Sequence, residues 1–168
     1  MKQISKEYTQ MITKVRRATA DDAAAVAKLL ISVGNVHSEG RPDIYRSPLT
    51  KHDENSAAKL IAESDYIVFV ADCEGSICGE LICRIEQQPG DQVFRPRKWL
   101  YIDDLCVDES VRGKGVAQLL MSTAETFAGE CGCGSVELNC WAFNRRAASF
   151  YEKMGYKPQK TEYEKIIR

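Results

Sequence analysis

The chain has 168 residues, apolar content of 44%, charged content of 28% and a net charge of −1. That length suits one domain with a sizeable core, and the balanced charge argues against a nucleic-acid binder, which would carry a basic surface. The longest apolar run, Tyr66 to Ala71, is far too short to cross a bilayer, and the N-terminus lacks the apolar region of a secretory signal, so a cytoplasmic protein without a membrane partner is expected. The seven cysteines are odd in number and sit inside apolar patterns, which favours reduced thiols over a disulfide framework. Cys131 and Cys133 form a C-x-C pair with no nearby histidine, so they read as small residues at a helix end and no metal is expected.

Residues 1–14 are polar and aperiodic and read as an N-terminal extension, leaving 15–168 as the domain. "KVRRAT" (14–19) reads as a strand. Thr19 and Asp22 resemble a capping box ahead of a helix over 23–33. A proline-containing loop is expected over 34–48 and a second helix over 52–64, with His52 on its surface. "YIVFVADC" (66–73) and "SICGELICRIEQ" (76–87) should pair as an antiparallel hairpin around Glu74-Gly75. "WLYIDDLCV" (99–107) is a further strand, with Asp103 and Asp104 in its middle. As neighbours on a strand the two point to opposite faces unless a bulge intervenes.

A helix follows over 116–130, with Val116, Leu119, Leu120, Thr123 and Phe127 on one face. A strand over 135–142 comes next. The helix over 144–155 has Asn144 as cap and Gly155 as stop, and "YKPQ" and "TEYEKII" form a last pair of short strands. The alternation of elements describes one α/β domain with a mixed, twisted sheet of about seven strands and about four helices.

The junction "VRGKGVA" (111–117) carries the first chemical signal. A strand that enters a helix through glycines exposes unpaired N–H groups at the positive end of the helix dipole, which favours an anion. Gly113 and Gly115 bring no Cβ to obstruct a phosphate, and Arg112 and Lys114 add positive charge. Neither the P-loop string nor the dinucleotide fingerprint G-x-G-x-x-G is present.

"YIDDLCVDESVRGKGVAQLLM" resembles the coenzyme-binding segment of the GCN5-related N-acetyltransferase (GNAT) family. Arg112, Gly115 and Ala117 match its R/Q-x-x-G-x-G/A pattern. "NRRAASFYEKMGY" is similar to a second family block, matched by Asn144, Ala147 or Ala148, Phe150, Tyr151, Gly155 and Tyr156. The resemblance covers residues 15 to 168.

It implies direct transfer of an acetyl group from acetyl-CoA to an amine acceptor of small-molecule or peptide origin. The pyrophosphate would rest on residues 112–117, from Arg112, Gly113, Lys114 and Gly115 to Val116 and Ala117, with Asn144 and Tyr151 also at the coenzyme. It further implies a bulge between Leu105 and Val107, where a backbone N–H of Leu105, Cys106 or Val107 would stabilise the oxyanion. Asp103, or second Asp104, would be the base, helped by water or desolvation because an ordinary carboxylate is too weak for an amine of pKa near 10. Tyr151 would protonate the departing thiolate. An acyl-enzyme on Cys106 carries little weight, since the family transfers directly. The acceptor would meet His37, Arg41, Asp43 and Tyr45, together with Asp104 if that residue recognises a cation. Homodimerisation is left open. A different class of reading is a non-catalytic acyl-CoA sensor on the same fold, which would need neither Tyr151 nor the carboxylates.

Overall fold

The computed structural model describes residues 13–46, 53–63 and 65–167. His52 and most of the proposed extension lie outside these residues. The first strand, β1 (Thr13–Arg17), is followed by a single 3₁₀ turn at Ala20–Asp22 and helix α1 (Ala23–Gly40). Asp22 fastens this start. Its carboxylate receives both terminal guanidinium nitrogens of Arg16, at 2.7 and 2.9 Å, and the Thr19 N–H at 2.8 Å.

Helix α1 runs seven residues beyond the expected boundary, so the loop expected from residue 34 starts only after Gly40. Val26, Leu30, Gly34 and Ser38 are all buried at four-residue spacing, so one buried row runs the length of the helix. Arg41 closes the helix by donating its N–H to the His37 carbonyl, and Pro42 prevents continuation. Helix α2 (Glu54–Ala62) is capped by Asp53, which accepts from the Ser56 N–H.

Strands β2 (Ile67–Cys73) and β3 (Ser76–Gln88) form the expected hairpin. Glu74 at φ 55° and Gly75 at φ 89° make its two-residue turn, the left-handed pair that suits strand twist. Cys73 and Cys78 are joined by a disulfide across this turn, with Cα atoms 5.9 Å apart. This corrects the expectation of uniformly reduced thiols: an odd total says nothing about two cysteines that a hairpin brings together. Cys83, Cys106, Cys131, Cys133 and Cys140 are free.

Strand β4 (Arg97–Val107) pairs antiparallel with β3, helix α3 (Val116–Glu130) follows, and β5 (Ser135–Leu138) returns parallel to β4. The sheet order is β1-β2-β3-β4-β5, with helix α4 (Arg145–Lys153) after it. Helices α1 and α2 cover one face around Val26, Leu30, Val70 and Ile82, and α3 covers the other around Leu81, Leu100, Leu120 and Met121. On α3 the inner face is Val116, Leu120, Met121, Ala124 and Ala128, whereas Leu119, expected inside, is 39% exposed.

Five strands replace the expected seven among the described residues. The strand expected over 135–142 stops at Leu138, where β4 ceases to be its partner, and residues 156–167 form no strand, β5 offering only a four-residue edge.

Candidate active site

The register of β3 against β4 shapes the site. Leu81 faces Leu105, Ile82 faces Asp104 and Cys83 faces Ile102, so Asp103 is an extra residue bulged out of β4. Leu100, Ile102, Leu105 and Val107 consequently all join the α3-side core, although their numbering changes parity. A bulge of this kind brings two successive side chains to one face. Asp104 and Cys106, opposite Ile82 and Glu80, face α1 and α2. The bulge expected between Leu105 and Val107 thus lies three residues earlier, between Ile102 and Asp104.

Asp103 is ion-paired. Arg84 Nη1 donates to it, and the Arg84 guanidinium lies 4.9 Å from the Tyr101 ring centre. Burial raises the Asp103 pKa while Arg84 opposes the rise. Among the described residues no lysine or arginine forms an ion pair with Asp104. Burial, with the Asp103 charge adding, pushes its carboxyl up to about 7, against the Leu105 N–H. Sequence reasoning passed over Glu80. Its side chain is fully buried, and neither oxygen has a well-formed hydrogen bond. Burial first and Asp104 second hold its carboxyl well above the ordinary range. The signal was present as one acid inside the apolar run "ICGELIC".

Tyr151, on α4, packs its ring edge-on against Phe150 at 5.4 Å and Tyr156 at 6.1 Å. Burial raises its phenol pKa, and Cys140, Asp104 and Glu80 push in the same direction, which brings the expected acid and the carboxyl pair into one electrostatic neighbourhood. Burial pushes the Cys106 thiol up to about 12, the state of an inert thiol.

Beyond Ile102, β4 has no strand partner on its β5 side among the described residues, so the edge from Asp103 to Val107, which carries Leu105 and Cys106, is open. The chain then reaches the glycine turn. Gly113 at φ 78° and Gly115 at φ 86° are left-handed, and Gly115 is the residue from which α3 starts. A Cβ on Gly113 would meet nothing within 4 Å, and one on Gly115 only Gln118 Oε1 at 3.9 Å, so both glycines border open space. The first N–H groups of a helix, here from Val116 and Ala117 onward, lack intrahelical acceptors. Lys114 is exposed, but Arg112 is committed inward: Nη1 meets Glu109, and Nε donates to the Val107 carbonyl at 3.2 Å. Asn144 spends its side-chain oxygen on capping α4 through the Ala147 N–H.

The residues expected at the acceptor do gather. His37, on α1 rather than in a loop, sits 5.3 Å from Tyr45, and Tyr45 meets Trp141 edge-on at 6.0 Å. Burial lowers the His37 pKa. Arg41 lies over Trp141 at 5.4 Å and is held by Asp43 and by Glu164, so its guanidinium is already occupied. Trp141 was read only as part of a strand, and no feature of the sequence marks it as the centre of this cluster. Among the described residues, no group of three or more His, Cys, Asp or Glu side chains is arranged to hold a metal ion, and no helix is long and apolar enough to cross a membrane.

A family model described as the acetyltransferase (GNAT) family matches residues 35–156. The chain belongs to this family. Among GNAT relatives, YhfO of Bacillus subtilis (strain 168), an uncharacterised N-acetyltransferase, is 27% identical over 84% of this chain and 88% of its own length. Blasticidin-S acetyltransferase of Streptomyces morookaense is 30% identical over 55% of this chain and 60% of that protein. A crystal structure of a tetramutant of the BH1408 protein from Bacillus halodurans superposes with a TM-score of 0.87, at 30% identity, covering 92% of this chain and 99% of that one. An aminoglycoside acetyltransferase from a soil metagenome, solved with sisomicin, shares the fold at TM-score 0.70 and 20% identity, over 93% of this chain and 97% of its own. The chain is thus an acetyltransferase on a single-domain α/β GNAT fold.

Proposed function

We propose that the enzyme transfers the acetyl group of acetyl-CoA directly to a primary amine. The observation that carries this reading is the open edge of β4, which leads past Asp104 into the glycine turn at the start of α3. The donor fits these features. The N–H groups of Gly113 and of residues 115–117, with the Lys114 side chain, would hold its pyrophosphate, and the unpaired backbone of Leu105 to Val107 would accompany its extended arm. Acetyl-CoA supplies an activated acyl group with a thiolate leaving group.

The chain's own residues divide the remaining work. Asp104, at about 7, is ionised over the upper part of the neutral range, where it can accept a proton from the amine. Half-buried and in no ion pair among the described residues, it differs from Asp103, which Arg84 restrains. Tyr151 keeps its proton across the working range and can deliver it to the departing sulfur. An N–H of residues 105–107 would face the oxygen that gains charge. Asn144 would contribute through its backbone, since its side chain caps α4.

The aromatic cluster of His37, Tyr45 and Trp141 is the proposed acceptor side. Relatives named for blasticidin S and for aminoglycosides make amine-bearing antibiotics the first acceptors to screen, with polyamines and N-terminal peptides as comparison. The test is thiol release from acetyl-CoA with each amine, paired with calorimetry of acetyl-CoA binding. Gly113→Ala puts a methyl group into the open side of the turn at a left-handed φ, and we expect about tenfold weaker binding with the fold retained. Unchanged affinity would remove the turn from the coenzyme site, and absence of thiol release with every amine would count against the transfer itself.

A further inference from the structure

Glu80 is a glutamate with no place in the chemistry described so far. It lies in the middle of β3, wholly buried, between Gly79 and Leu81. Its side chain shares the α1/α2 face with Ile82, Asp104 and Cys106, because Glu80 is opposite Cys106 and Ile82 is opposite Asp104. Glu80 and Asp104 are therefore diagonal cross-strand neighbours. Such neighbours have Cβ atoms roughly 7 Å apart, a gap that two carboxyl side chains can span.

The groups around them can be named element by element. From β4 come Asp104, its neighbour Asp103 and the Cys106 thiol and N–H. From α4 comes the Tyr151 phenol, from the segment after β5 the Cys140 thiol, and from α1 the Ser32 side chain against Cys106. Arg112 acts on Cys106, but among the described residues no lysine or arginine forms an ion pair with Glu80 or Asp104. A buried carboxyl and a half-buried one on neighbouring strands, with no ion-paired lysine or arginine among the described residues, cannot both be charged at moderate cost. Both Glu80 oxygens also lack a hydrogen-bond partner when the group is treated as a carboxylate, a deficit that a proton on the group repairs.

We propose that Glu80 is a positioning residue that stays protonated and donates its hydrogen to the Asp104 carboxylate, so that the pair carries one negative charge and Asp104 remains the acceptor for the amine proton. This rests on the reading of Asp104 as the base. No bond at Glu80 is broken in the cycle. The proton taken from the amine ends on Asp104, and the Glu80 proton stays where it is, holding the Asp104 carboxylate in one orientation.

The pair should titrate as a unit, the more accessible Asp104 ionising first. The proposal predicts how two substitutions move the acidic limb of the kcat/KM profile. Gln is a neutral donor of the same shape, so Glu80→Gln should leave that limb within about 0.3 units of wild type. Met has the volume but no donor, so Glu80→Met should move the limb up by about one unit and lower kcat/KM about tenfold below it. Acetyl-CoA affinity should be unchanged in both. A Glu80→Met profile that superimposes on wild type would overturn the coupling. A Glu80→Gln limb displaced to lower pH would also overturn it, because that shift means that Glu80 is ionised and repels Asp104.

Asp104→Asn separates this inference from the reading beneath it. If that variant keeps wild-type kcat/KM and the same acidic limb, the base assignment fails and the pair with it. If it is inactive while Glu80→Met is unaltered, only the pair fails. A readout independent of turnover and of the Met variant is the infrared carbonyl stretch of a protonated carboxyl at neutral pH. Read again about two units above the Asp104 pKa, where Asp104 is ionised, it should persist in wild type and be lost in Glu80→Gln, and its absence from wild type there would overturn the proposal.

Discussion

Two buried acids in this enzyme have opposite surroundings. Asp22, at the foot of α1, receives the forked Arg16 guanidinium and the Thr19 N–H, and this holds its carboxyl down at about 2. Glu80 is buried more completely, forms no ion pair among the described residues, faces a second carboxyl and is held high. Burial alone therefore does not say what an acid is for. The partners decide: a carboxylate whose lone pairs are all used ties structure together, and one left short of partners holds on to its proton.

Substituting the acids one at a time is the most direct way to break that contrast. The largest effect is expected at Asp104. Asp104→Asn should lower kcat/KM at neutral pH by about 10²-fold or more while acetyl-CoA binding and melting temperature stay close to wild type, and Tyr151→Phe should match it in kcat. A wild-type rate for Asp104→Asn would place the Glu80 side among passively buried acids.

Asp22→Asn should do the reverse. Activity per folded molecule should hold, whereas stability should fall by about 2 kcal/mol, or roughly 4–8 °C in Tm, on thermal unfolding. The Arg16 side chain is 42% exposed, so water offsets part of the cost of a fully buried broken pair.

The pH dependence of stability sharpens the comparison because the two signs differ. A depressed carboxyl such as Asp22 stabilises the fold above its unfolded pKa of about 4, and this contribution disappears as pH falls towards about 2. A raised one such as Asp104 contributes fully below about 4, and the contribution is lost as pH climbs to about 7. Denaturant titrations from pH 2 to 8 should show the acid-side loss flattened in Asp22→Asn and the neutral-side loss flattened in Asp104→Asn.

The smallest effect is expected at Asp103. With Arg84 already on its carboxylate, Asp103→Asn should change kcat/KM less than about threefold. A loss comparable to that of Asp104→Asn would move the base one residue back along β4.

What the sequence disclosed follows from how local each signal was. The glycine turn, the Asn144 cap and the Gly155 stop were legible because each is fixed by a backbone conformation at its own position. The bulge at Asp103 was not, because one extra residue in β4 exists only relative to its β3 register, and β3 lies about twenty residues upstream. The same distance hid Glu80, whose importance comes from Asp104 on the next strand. Helix α1 outran its expected end because residues 34–40, polar enough to read as loop, keep one buried row through Gly34 and Ser38 in this fold. The aromatic cluster joins the end of α1 to Trp141, a hundred residues further on, and no local pattern announces such a meeting.

The open stretch of β4 from Asp103 to Val107 is about 16 Å of strand edge at some 3.3 Å per residue. Exposed edges of this kind recruit other strands and seed association between molecules. A coenzyme arm lying along it would serve as a lid against that hazard as well as a reactant. Purified without coenzyme, the enzyme should cloud on concentration or warming sooner than with it, even where the two forms unfold at the same temperature. Its storage life would then depend on an occupied donor groove, and solubility would become a property of the bound state.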